Sequence, residues 1–248
     1  MKVSVITVCY NSAQTLERAL RSVAYQDWPN IEHIVIDGGS TDRTPNILQR
    51  FNHLVSVISE PDRGIYDAMN KGLDIASGEI ICFLNADDQY ASSSVLSSIA
   101  KIMMTSKVDA LMGDVVFFHK NNPKRTIRRY RSNRFNPDRL AWGWMPAHPG
   151  LFLTSAVVKR VGHFKIDYQI AGDFEFIIRV FYQQNLRYQH VPKVLVRMQV
   201  GGVSTRGLRS KILLNIEVLR ACRENGLKTN IFKILAKYPI KILEFFWR

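Results

Sequence analysis

Four consecutive residues, Asn85-Ala86-Asp87-Asp88, follow the apolar run Ile80-Ile81-Cys82-Phe83-Leu84. Two adjacent carboxylates at one turn repel each other unless positive charge stands between them. Hard oxygen donors of this kind suit Mg²⁺ or Mn²⁺. Asn and Asp are also ordinary turn residues, and a polar turn is the simpler reading of the four taken alone. A second turn, Asp37-Gly38-Gly39-Ser40-Thr41-Asp42, pairs glycines that permit close backbone approach with a carboxylate able to accept from a base or ribose. A plain loop needing left-handed backbone would use Gly-Gly as well. A third polar turn runs from Thr7 to Ser12 through Cys9, Tyr10 and Asn11. A separate carboxylate, Asp173, stands in Ala171-Gly172-Asp173-Phe174-Glu175-Phe176, ahead of Ile177, Ile178 and Phe181 at helical spacing. Such a group either caps the helix or accepts a proton from an attacking hydroxyl.

The elements around these turns alternate. Lys2 to Val8, Ile31 to Ile36, Leu54 to Ser59, Ile80 to Leu84 and Ala110 to Phe118 read as strands, short and rich in β-formers. Between them lie helical patterns. Leu16, Ala19, Leu20 and Val23 share one face, with Asn11 or Ser12 as cap; Thr44-Pro45 starts a second helix, with Thr44 as cap. Ile65, Ala68, Met69, Gly72 and Ala76 mark a third, closed by Ser77-Gly78, and Val95, Ile99, Ile102 and Met103 a fourth. The expected fold class is α/β, a mostly parallel central sheet with helices on both faces. In such sheets the three polar turns share the carboxyl edge, where ligands bind.

Composition narrows the class. The 248 residues are 46% hydrophobic and 22% charged, which is ordinary for a folded protein. No apolar stretch reaches the length of a bilayer span, and because the strand pattern begins at once no secretory leader is expected. Three widely spaced cysteines (Cys9, Cys82, Cys222) argue against a disulfide framework. The expectation is a reduced, cytoplasmic chain. Neither a G-x-G-x-x-G fingerprint nor a P-loop is present, which sets aside dinucleotide enzymes and P-loop NTPases. The net charge of +13 is concentrated. Lys120 to Arg139 carries eight basic residues against Asp138 alone, and Arg206 onward carries ten against three glutamates.

Four segments in register resemble the family 2 glycosyltransferases: Val5-Ile6-Thr7-Val8-Cys9-Tyr10-Asn11, Val35 to Asp42, Glu60-Pro61-Asp62-Arg63-Gly64-Ile65-Tyr66-Asp67-Ala68-Met69-Asn70-Lys71-Gly72, and the Asn-Ala-Asp-Asp turn. The likeness covers roughly residues 3 to 203 and implies a GT-A fold. It also implies a UDP- or GDP-linked sugar donor, a divalent cation and inversion at the anomeric carbon. By this resemblance residues 1–205 form the catalytic domain, with 1–118 binding the nucleotide sugar and 119–205 the acceptor. Thr7, Cys9, Tyr10, Asn11, Asp37, Gly38, Ser40, Asp67, Lys71, Asn85 and Ala86 then meet the donor. Asp87 is the first metal candidate and Asp88 the second. Asn85 stands where the family's Asp-x-Asp motif has its first carboxylate, a departure that removes one charge. Asp173 occupies the place of the general base, with Glu175 as fallback, although Glu175 and Arg179 read as an i,i+4 surface pair. His148 matches a segment behind the site and is a possible diphosphate or acceptor contact. Gln184-Asn185-Leu186-Arg187-Tyr188 imitates the processive Gln-x-x-Arg-Trp motif but ends in Tyr and follows Asp173 closely, so one sugar per encounter is expected.

Residues 206–248 read as a basic amphipathic tail. From Ile231 to Arg248, helical spacing puts Lys233, Lys237, Lys241, Glu244 and Arg248 on one stripe beside a wide apolar face. That is the pattern of a helix lying on an anionic membrane surface; the alternative is a helix packed on the catalytic domain. A peripheral membrane enzyme glycosylating a polyprenyl-diphosphate-linked saccharide is the expectation. Three other classes compete. A nucleic-acid binder is suggested only by Arg128-Arg129-Tyr130-Arg131 and is disfavoured by the acidic turns, so no nucleic-acid partner is expected. A sugar-nucleotide pyrophosphorylase would open on a Gly-rich basic loop that is absent, and a non-catalytic interaction protein remains the bland reading.

Overall fold

The structure is a computed structural model describing residues 1–51, 53–54, 56–201 and 207–238. The amino-terminal half alternates as its periodicity demands: β1 (Val3–Cys9), α1 (Leu16–Ala24), β2 (Ile31–Asp37), α2 (Thr44–Leu48), β3 (Ser56–Ser59), α3 (Ile65–Ile75) and β4 (Ile80–Phe83). A two-residue strand β5 (Gln89–Tyr90), helix α4 (Val95–Ser106) and the long β6 (Ala110–His119) follow. The second half adds β7 (Asn122–Tyr130), β8 (Leu151–Thr154), α5 (Ser155–Val161), α6 (Gly172–Phe181) and β9 (Tyr188–Gln199). Helices α7 (Gly207–Glu224) and α8 (Ile231–Leu235) close the described chain.

The nine strands among the described residues form one sheet in the order β3-β2-β1-β4-β8-β6-β9-β5, with β7 alongside β6. β1 pairs in parallel with both β2 and β4, β2 with β3, and β6 with β9. β8 is antiparallel to both β4 and β6, so β6 runs in the direction of β4. Six strands therefore share one direction, while β5, β7 and β8 oppose them. This is the mostly parallel sheet that the alternation implies. The chain steps from β1 outward to β3 and then returns to the other flank of β1 as β4. That reversal makes the carboxyl ends of β1 and β4 the switch point of the sheet, the position where open α/β sheets take their ligands.

Alternation along β1 divides the core. Ile6 and Val8 face α3 with Met69, Ile36 and Phe83. Val3 and Val5 face the other layer, with Val23 of α1 and Val95, Leu96 and Ile99 of α4. Leu16, Ala19, Leu20 and Val23 are buried as their spacing requires, each large side chain contributing about 1.5–3 kcal/mol. Gly72 lets α3 lie close on the sheet, since a Cβ there would come within 2.5 Å of Ile6 Cγ2.

Boundaries differ from expectation where polar side chains have another task. α1 starts at Leu16 rather than after Asn11 or Ser12. Asn11 takes a left-handed φ of 48° and spends its side chain on the neighbouring turn. Thr44 is the first helical residue of α2, its amide held by Asp42 Oδ1 at 2.8 Å, so Asp42 performs the capping expected of Thr44. The basic tail departs further. Lys237, expected on an exposed stripe with Lys233, is buried at 3% exposure, whereas Phe232 is 80% exposed. Lys233 Nζ instead lies 5.5 Å from the Trp142 ring. The remainder of the expected amphipathic helix, residues 239–248, lies outside the described residues.

Candidate active site

The three turns meet. Asn11 N donates to Ser40 Oγ at 2.7 Å, and Asn11 Oδ1 accepts from Thr41 N (2.9 Å) and Asp42 N (3.2 Å). Ser12 N donates to Thr44 Oγ1 and Ala13 N to Asp42 Oδ2. Gly38 N bonds Cys9 O at 2.9 Å, and Ala86 shares one buried apolar cluster with Cys9 and Leu16. The ends of β1, β2 and β4 thereby form one rigid edge.

Within that edge the predicted donor residues divide. Thr7 is wholly buried, its Oγ1 3.0 Å from His33 Nε2, so it supports the sheet rather than offering a group to a ligand. Cys9 is buried against Asp37, with Sγ 3.8 Å from Oδ1; burial first, then the Asp37 charge, raises its thiol pKa, so Cys9 remains a neutral thiol. Asp37 is fully buried and accepts from Ser40 N, Ser40 Oγ and Ser59 Oγ. It organises the Gly-Gly turn from within. Asp62 packs over Gly38 so tightly that a Cβ there would come within 2.3 Å of Asp62 Oδ2. Tyr10, 62% exposed, stands open at the rim. Asp67 is engaged by Arg63 through its amide (3.1 Å) and guanidinium (2.8 Å), and the guanidinium lowers its pKa. Lys71 bonds Glu60 Oε1 (2.7 Å) and Pro61 O (2.9 Å), bracing the loop before α3.

The Asn-Ala-Asp-Asp turn closes by Asp88 N to Asn85 O at 3.0 Å. Asp88 is 1% exposed; one carboxylate oxygen accepts from Gln199 N (3.3 Å), and the other has no hydrogen-bond partner. Burial, then the neighbouring Asp87 charge, raises the Asp88 pKa well above the carboxylate norm. Asn85 Oδ1 is likewise buried and unpartnered. Asp87 is half-buried, and its backbone carbonyl accepts from Arg18 at 3.1 Å. Arg18 also bonds Gln199 Oε1 at 2.9 Å and lies over the Phe118 ring. Sequence reasoning missed Arg18: it supplies part of the positive charge that the paired carboxylates require, from the helix that follows β1.

The resemblance implies a divalent cation. Among the described residues no three His, Cys, Asp or Glu side chains gather into a cage. The turn nevertheless fits a hard ion that takes one or two protein carboxylates and completes its shell from phosphate. Two buried oxygens without partners, on Asn85 and Asp88, are what such a site leaves open.

The second half brings Asp173 to α6, where Asp173 Oδ1 accepts from Phe174 N at 2.8 Å. Burial raises its carboxyl pKa to about 6. Tyr66, from the motif beginning α3, donates its hydroxyl to Ile170 O at 2.6 Å. Its ring fills the space a Cβ on Gly172 would need, at 2.7 Å. The donor-side helix thus touches the loop that carries Asp173. Glu175 is corrected on two points. It is fully buried rather than a surface residue, and it is bound to Arg179 (2.9 Å), Lys165 (3.2 Å) and Asn225 (3.2 Å). A carboxylate so engaged is not available as a fallback base. His148 opens a 3₁₀ turn, His148–Gly150, and stacks on Phe83 with centroids 5.1 Å apart. Burial lowers its pKa to about 4, so it is a neutral imidazole near pH 7.

Residues 4–181 match the sequence profile of Glycosyl transferase family 2. The chain belongs to that family. It is therefore a glycosyltransferase. It is similar to the PGL/p-HBAD biosynthesis glycosyltransferase of Mycobacterium bovis, 31% identical over 208 residues, covering 81% of this chain and 78% of the relative. In fold it is similar to Staphylococcus aureus TarS 1–349 solved with UDP-GlcNAc (TM-score 0.70, 22% identity, 88% of this chain and 67% of that one). Against a longer TarS structure the chain spans only 40% of that protein. It is also similar to the mannosyltransferase PcManGT of Pyrobaculum calidifontis solved with GDP-Man and Mn²⁺ (TM-score 0.67, 24% identity, 95% of this chain and 68% of that one). These likenesses establish the GT-A fold.

Proposed function

We propose that this glycosyltransferase moves one sugar from a UDP- or GDP-linked donor to a saccharide hydroxyl, with inversion, on an acceptor carried by a polyprenyl diphosphate. The observation that carries the reading is the meeting of the β1, β2 and β4 turns at the sheet's reversal point, with the Asp173 loop tied to the donor-side helix by Tyr66. The nucleotide sugars and Mn²⁺ seen in the structural neighbours support it. Asp87 and Asp88, with the Asn85 amide oxygen, would hold a divalent cation, which when bound neutralises charge on the departing diphosphate. The exposed Tyr10 ring and the Gly38–Gly39 backbone offer a rim for the base and ribose. Asp173 takes the proton of the acceptor hydroxyl as that oxygen bonds the anomeric carbon. The bond from that carbon to the diphosphate breaks on the opposite face, releasing a nucleoside diphosphate. His148, neutral and stacked on Phe83, contributes a wall rather than a charge.

Two surfaces support a lipid-linked acceptor at the cytoplasmic membrane face. Strand β7 exposes Lys124, Arg125 and Arg129, with Lys120 and Arg131 beside it; of these Arg129 is also paired with Asp114 at 2.7 Å. On the carboxyl-terminal helices Ile212, Ile216 and Phe232 are all more than half exposed. Cationic and apolar surface together suit an anionic bilayer. Among the described residues no helix is long and apolar enough to cross a membrane.

Thermal shift against UDP-, GDP- and dTDP-sugars, each with and without Mn²⁺, tests the donor: one nucleotide should stabilise the protein more with the ion than without. No stabilisation by any of them refutes the reading. Flotation with phosphatidylglycerol vesicles should be lost in the double variant Ile212→Glu/Ile216→Glu; undiminished flotation removes those two residues as the membrane contact.

A further inference from the structure

We propose that Glu217, on α7, is a positioning residue for transfer that fixes the loop bearing Asp173. The proposal rests on Asp173 as the base. Glu217 is 5% exposed, and its carboxylate receives three consecutive backbone amides. Oε1 accepts from Gln169 N at 2.8 Å; Oε2 accepts from Ile170 N at 2.9 Å and Ala171 N at 2.8 Å. Hydrogen bonds to an ionised acceptor are stronger than neutral ones, and three on one group set a loop's path closely. From the other side Tyr66 OH holds Ile170 O. Asp173 stands two residues after the last clamped amide, Ala171, with Gly172 seated against the Tyr66 ring.

A carboxylate is required here for a geometric reason. Both oxygens must accept, and an amide offers only one acceptor while turning an N–H₂ toward a backbone N–H. The negative charge has a second effect. Beyond burial, the dominant cause, Glu217 adds to the upward shift of the Asp173 pKa. Glu217 lies 36 residues past the end of the family match at residue 181, so this support comes from the chain's own carboxyl-terminal helix. Further contacts run the same way: Glu224 accepts from Tyr168 OH at 2.9 Å and Lys165 at 2.9 Å.

The full chain and its Glu217→Gln variant are compared with the donor panel of UDP-, GDP- and dTDP-sugars. Readouts are nucleoside diphosphate release with water as acceptor, donor affinity by calorimetry, and amide hydrogen exchange. The variant should lose about tenfold or more in kcat with donor Kd changed less than about twofold. The acidic limb of its pH profile should move to lower pH. Exchange protection should fall at Gln169, Ile170 and Ala171 while β1 and β4 keep theirs. A wild-type kcat and limb overturn the proposal, as does an equal loss of rate and donor affinity with protection lost throughout, the mark of a merely structural role. Asp173→Asn separates the two readings. If it is fully active, the base assignment fails and the clamp has nothing to position. If it is inactive while Glu217→Gln is unchanged, only the clamp fails.

Discussion

Asp173→Asn should produce an enzyme that is slower and more stable at once. Burial holds the Asp173 carboxyl near pKa 6 against an ordinary 3.8, so the folded protein favours the protonated form. Stability from this group is complete below the unfolded pKa and is lost as pH rises through about 6. The difference of roughly two pKa units corresponds to about 3 kcal/mol at full strength. Asp173 keeps part of its surface open, which discounts the figure to about 1–3 kcal/mol. Asparagine removes that penalty while its amide oxygen can still accept from Phe174 N. At pH 8 the variant should therefore melt about 3–10 °C higher than the wild type, and at pH 4 the two should nearly coincide. Removing a general base costs about 10²- to 10⁴-fold in rate, or about 3–5 kcal/mol in the barrier. Differential scanning fluorimetry at the two pH values and nucleoside diphosphate release at saturating donor measure both quantities. Wild-type turnover, or a melting shift that is the same at pH 4 and pH 8, would refute the reasoning.

Asp87→Ala should abolish the Mn²⁺-dependent part of donor stabilisation, worth about 2.7 kcal/mol at a hundredfold excess over Kd, with little change in the apo melting temperature; thermal shift decides. Glu32 gives an acid signature. It is 5% exposed, and despite burial its bonds to Lys2, Ser4 and Ser77 lower its pKa from 4.5 to about 2. That stabilisation, about 3 kcal/mol, is present above pH 4.5 and lost as pH falls toward 2. Urea titrations should show Glu32→Gln weaker at pH 7 and converging with the wild type near pH 2. Gly72→Val should destabilise by about 1–3 kcal/mol or more, because its side chain would enter space held by Ile6 and Ile36; an unchanged denaturation midpoint would contradict that packing.

How much of this was legible in the sequence depended on whether a residue acts through neighbours in the chain or across it. The alternation of β1 to β4 with α1 to α3 is local periodicity, and it was readable, as was the convergence of turns that parallel topology dictates. Strands β5, β7, β8 and β9 left weaker signals: four of the nine residues of β7 are basic, and β5 has two residues. The charge accounting at the Asn-Ala-Asp-Asp turn shows the deeper difficulty. Two adjacent carboxylates demand positive charge, and the sequence alone suggests an ion. The fold answers in part with Arg18, 69 residues away on α1, which nothing local in the sequence connects to that turn. The residual demand is what leaves room for a cation. Asp88 lies buried against the Gln199 amide with one oxygen unpartnered, and Asp87 lies half-buried beside it. Arg18 lies behind them, bonded to the backbone of Asp87 and to the Gln199 side chain. Negative charge at this turn works against an approaching diphosphate, and the raised Asp88 pKa shows how poorly a second carboxylate charge is tolerated there. A divalent ion reverses that sign. Asn85, by omitting a third carboxylate, spares the buried turn a further charge in a place where burial already opposes ionisation of Asp88.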